Sequence, residues 1–61
     1  MANLTSRELS YIEDHLSMEN VLIKKYQAMS EQTNDTVIKE KCDSIANKHQ
    51  QHFNCLLGHL N

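Results

Sequence analysis

The chain has 61 residues, 39% of them hydrophobic, with no proline, one glycine, two cysteines and a formal net charge of -2. A chain this short buries only about 60% of the surface its unfolded form exposes, so its core needs a supplement, which here reduces to a bound metal or a partner subunit. The slight acidity and the dispersal of the six Lys and Arg exclude a basic footprint for nucleic acid, and no stretch approaches the ~20 apolar residues of a membrane span.

The N-terminus lacks a basic segment followed by an apolar run, so no signal peptide is expected. The chain reads as soluble and synthesised in the cytoplasm, with neither nucleic acid nor membrane as a partner. The absence of proline and near absence of glycine predict long uninterrupted helices. Thr5, Ser6, Arg7 and Glu8 form a T-x-x-E capping box, with Leu4 and Leu9 placed as a hydrophobic staple around it. The first helix is therefore expected over about 6–32. It stops at Thr33-Asn34-Asp35-Thr36, whose short polar side chains compete with helical hydrogen bonds and favour caps and turns. A turn over about 33–35, with Asp35 or Asn34 as N-cap, leads into a second helix over about 36–59, with Gly58 fraying its last turn. A connection this short makes one domain, an antiparallel helical hairpin of all-α class.

On the first helix Leu9, Ile12, Leu16, Glu19, Ile23 and Tyr26 follow steps of three and four, the spacing of a packing seam. On the second, Ile38, Cys42, Ile45, His49, His52 and Leu56 make a similar seam. Folding about Asn34 pairs positions whose numbers sum to about 68, which sets Glu19 opposite His49 with His52 one turn further on. Tyr11, Met18, Leu22 and Met29, with His15 among them, form a second stripe on the first helix. Ala46, Phe53, Leu57 and Leu60 widen the face of the second. One partner helix cannot cover so much apolar surface, so two hairpins are expected to close into a homodimeric four-helix bundle.

A carboxylate and two imidazoles in a helix seam are costly unless paired or bound. Glu19, His49 and His52 are the usual ligand types for zinc, iron or manganese, and His at i and i+3 can reach one ion from a single helix face. Two copies would bring six such ligands to the bundle core. The same trio also reads as a metal-free polar cluster that sets helix register. His15, one turn from Glu19, is placed to act as an outer ligand, to donate a hydrogen bond to one of the ligands, or to stand at the edge of the dimer interface.

Cys42 and Cys55 lie thirteen positions apart on one helix, roughly 20 Å along its axis, so they cannot bridge within one chain. Cys42 reads as a small hydrophobe near Tyr26. Cys55 points away from the seam centre and is the better candidate for oxidation or for a link between chains. Neither thiol has a recognisable base or oxyanion donor beside it, so no catalytic residue is assigned, and a non-enzymatic role is favoured.

Leu4-Thr5-Ser6-Arg7-Glu8-Leu9 with Tyr11-Ile12-Glu13-Asp14, Met18-Glu19 through Lys24-Lys25-Tyr26, and Ala46-Asn47-Lys48-His49-Gln50-Gln51-His52-Phe53 before Leu56-Leu57 together resemble the coat-F-type spore coat proteins of endospore-forming bacteria. The resemblance covers nearly the whole chain and implies a ferritin-like fold, location in the spore coat, a structural role there, and other coat proteins as partners. Ferritin-like di-metal proteins place a Glu on one helix and Glu-x-x-His on the next. Glu19 and His52 are similar to that pattern, while His49 stands where it has glutamate. Fewer carboxylates compensate two divalent cations less well, which weakens any case for oxygen-activating iron chemistry and leaves zinc, nickel or no metal open.

Overall fold

The computed structural model describes residues 4–60 and consists, among those residues, of two α-helices packed as an antiparallel hairpin. Helix α1 spans Ser6–Gln32 and α2 spans Thr36–Gly58. The ends are set by local chemistry. Thr5 holds an extended backbone at φ -72°, ψ 161°, and its hydroxyl accepts the Glu8 amide at 3.1 Å while Glu8 Oε1 accepts the Thr5 amide at 3.1 Å. Two amides that a helix start leaves without partners are thereby satisfied.

At the turn, Asp35 is the N-cap of α2, and its Oδ1 accepts the amides of Val37 and Ile38 at 2.9 and 3.0 Å. Asn34 does not cap. Thr33 closes α1 by donating its amide to the Met29 carbonyl at 3.1 Å, and its hydroxyl accepts the Asp35 amide at 3.1 Å. Three residues thus reverse the chain with their polar groups largely answered from within the turn.

The buried centre is small: Ile23, Cys42, Ala46 and Ser30. Around it Ile12, Leu16, Leu22, Tyr26, Ile45, Phe53 and Leu56 are half-buried. Small side chains at Ser30, Cys42 and Ala46 suit a close approach of the two helix axes. The seam of α2 accordingly runs through Cys42, Ala46, His49, Phe53, Leu56 and Leu60 rather than through Ile38 and His52. At about 100° per residue, Phe53 lies about 40° to one side of His49 and His52 about 60° to the other, so the seam passes nearer Phe53.

Leu9 and Ile38, both expected in the seam, are exposed. The position opposite Leu9 falls at residue 59, where α2 has already ended. Ile38 sits beside Lys39, whose side chain instead crosses to α1. Tyr11, Met18, Val21, Met29, Val37 and Leu57 are likewise exposed. The result is a rod of 46 × 15 × 11 Å with a radius of gyration of 14.3 Å. No helix is long and apolar enough to cross a membrane among the described residues.

The capping box carries a pH dependence. The Thr5 amide, and then the Thr5 hydroxyl, hold the Glu8 carboxyl below its ordinary range. A carboxyl depressed in the native state adds stability above its unfolded value of about 4.3, and that contribution is lost as pH falls through the native value. Amide resonances of Ser6 to Leu9 are therefore expected to shift toward frayed values below about pH 4. In Glu8→Gln, which can still accept the Thr5 amide but carries no titrating carboxyl, the same resonances should not respond to acid. Equal acid responses in the two proteins would remove the capping box as the cause.

Candidate metal centre

Glu19 projects from the middle of α1 into the cleft between the helices, where the periodicity of its neighbours Leu16 and Ile23 places it. His49 meets it from α2. His49 Nδ1 lies 2.7 Å from Glu19 Oε2, and because a carboxylate has no proton to give, the ring nitrogen donates. The positions sum to 68, the register expected from the turn. His52 Nδ1 approaches the same oxygen at 3.8 Å, a contact without a direct hydrogen bond.

The three side chains are unequally sheltered. Those of Glu19 and His49 are 13% and 23% exposed, and that of His52 is 63% exposed. The His49 ring lies nearly parallel to Tyr26, with centroids 6.3 Å apart, and nearly perpendicular to His52 at 5.8 Å. Tyr26 therefore walls the site on the turn side. One ligand atom from each of Glu19, His49 and His52 falls within 4.8 Å of the other two. Carboxylate oxygen and imidazole nitrogen are donor types that a first-row transition ion accepts, and side-chain rotations of about 1 Å would draw atoms at that spacing onto a common ion.

The open side of the cluster is a groove of about 290 Å³ lined by His15, Glu19, His52, Cys55 and Leu56. His15 is half-buried, with its ring 4.6 Å from that of Tyr11, so it borders the site without joining the three gathered atoms. Both cysteines are free thiols, Cys42 buried in the seam and Cys55 exposed at the groove. His59 Nδ1 lies 3.0 Å from the Cys55 carbonyl, and the ring serves the end of α2 rather than the cluster.

A second polar group, unforeseen from the sequence, lies nearer the turn. Ser30 is buried and its hydroxyl donates to Asp43 Oδ1. Lys39 Nζ donates to the Ser30 carbonyl at 2.9 Å and lies 3.4 Å from its hydroxyl. This clasp ties the last turns of α1 to the first turns of α2, and so fixes the stagger that brings Glu19 to His49. Its signal was present: the steps through Glu19, Ile23 and Tyr26 continue to Ser30 and Thr33. A serine at a seam position needs a partner when buried, and only the folded hairpin shows which one.

The chain is 26% identical over 57 residues to the uncharacterized protein YuzM of Bacillus subtilis (strain 168), across 93% of this chain and 70% of that protein. No family model matches the chain. No solved structure matches it.

Ser30→Ala is expected to lose about 1 kcal/mol, the net worth of a hydrogen bond whose buried partner is removed. The thermal midpoint should then drop by roughly 4–8 °C. An unchanged midpoint in a calorimetric scan would mean that the clasp contributes nothing net.

Proposed function

We propose that the chain is a structural, self-associating helical module, two hairpins of which close into a ferritin-like four-helix bundle. The uncovered apolar stripe of α1 carries this reading. Tyr11, Met18 and Met29 remain exposed on a hairpin whose buried apolar core is Ile23, Cys42 and Ala46, and a chain of this size needs further burial to be stable. The resemblance to coat-F-type spore coat proteins supplies the setting: a component of the bacterial spore coat, where other coat proteins are further partners. Repeated self-association through an apolar face suits an assembly of that kind, and no catalytic role is proposed.

In light scattering the protein is expected at twice the mass of its 7.1 kDa chain. Met18→Glu places a charge in the stripe, away from the hairpin's own core, and is expected to yield a folded monomer. A wild-type protein that stays monomeric at millimolar concentration would end this reading.

A second reading, favoured by the three ligand atoms gathered within 4.8 Å, is that Glu19, His49 and His52 hold a divalent transition ion; zinc, iron, manganese and nickel all accept this donor set. Such an ion competes with the proton that His49 Nδ1 shares with Glu19, so binding weakens as pH falls. Protein purified without added metal is expected to carry the ion in elemental analysis. Chelation should lower its thermal midpoint, and Glu19→Gln should abolish both effects. A midpoint indifferent to chelator, in protein shown free of metal, leaves the trio as a purely structural polar cluster.

A further inference from the structure

The open groove and the uncovered stripe lie on one face of the hairpin. At about 100° per residue, Tyr11, Met18, Leu22 and Met29 all turn roughly 60–100° from Glu19 in one direction, and His15 turns about 40° the same way. The His15 ring against Tyr11, at 4.6 Å, joins stripe to groove. From α2, His52 enters that same groove, still 63% exposed. Tyr11 and Met18, at 66% and 58%, are more open to water than large apolar residues of a finished surface need be.

The dimensions say what fits there. The chain exposes 4848 Å², against ~4100 Å² for a compact monomer of its mass. The excess, roughly 750 Å², approaches the ~800 Å² that each partner gives to a standard interface. The radius of gyration of 14.3 Å likewise exceeds the ~10.5 Å of a compact chain of this length. A second rod of the same length laid along the face covers that area and brings the assembly nearer to compact proportions, and a two-fold pair uses one patch twice.

We propose that a second copy of this chain seats on this face and closes the groove over Glu19, His49 and His52, so that binding of a divalent transition ion and pairing of the chains are thermodynamically linked. The linkage rests on the dimer and metal readings above. With the groove closed, His52 loses its water, the local dielectric falls, and attraction between the ion and Glu19 strengthens. Conversely, the ion neutralises a carboxylate whose deeper burial would otherwise oppose pairing. Each event then favours the other, the gain in pairing being the product of the gains at the two sites.

Sedimentation equilibrium in chelator and in zinc chloride, with calorimetric zinc titration, tests this on the full chain. Zinc is expected to tighten wild-type pairing about tenfold or more, and Glu19→Gln to pair with no response to zinc. Met18→Glu, or Tyr11→Glu should the first fail to fold by circular dichroism, is expected to be monomeric and to bind zinc more weakly by the square root of the factor that zinc adds to pairing, since each chain of the pair contributes one site. A zinc-binding dimer whose pairing constant ignores zinc overturns the linkage alone. So does a monomeric variant that binds zinc as tightly as the wild type. A chain monomeric with and without zinc overturns it through the dimer, and a dimer that takes up no zinc overturns it through the site.

Discussion

A carboxylate set in the seam between two helices must find a partner, and in this protein it finds one across the hairpin. The contact between Glu19 and His49, 2.7 Å long and largely sheltered from water, joins the midpoints of both helices. Leaving either group alone in the cleft would cost the desolvation of an unpaired charge or polar ring. Register is therefore tied to chemistry: a slip of one turn along either helix separates Glu19 from His49.

The rest of the molecule is arranged around that constraint. Toward the turn, the Ser30 clasp and the Asp35 cap fix how α2 departs from α1, and small residues let the axes approach. Toward the open end, the helices hold each other less firmly, and Leu9 has no turn of α2 opposite it. Polar contacts specify the alignment while a thin apolar core supplies little burial. Such a division gives a defined hairpin with modest stability of its own, and leaves an apolar stripe of α1 uncovered.

Much of the fold could be read along the chain. The capping box, the Thr-Asn-Asp turn and the spacing of Leu16, Glu19 and Ile23 are local features with local causes, and counting from the turn places Glu19 opposite His49. The seam of α2 could not be settled in that way. Ile45, Ala46, His52 and Phe53 all lie close to the core-facing direction, and periodicity gives neighbouring positions nearly equal standing. Selection among them depends on how near the axes come, which the small side chains of α1 and α2 decide jointly. His52 consequently sits at the flank, half in water, instead of in the seam.

The sequence by itself determined two capped helices, the turn between them and the sharing of one level by an acid and an imidazole, because hydrogen bonding of the backbone and helical periodicity act over a few residues. Only the tertiary structure decided that Ser30 is buried against Asp43 and Lys39, that His52 is exposed beside a groove shared with His15 and Cys55, and that this groove adjoins the apolar stripe. Those outcomes depend on the rotation and separation of two rods about their long axes, quantities set by the sum of all contacts between them and written in no single segment of the chain.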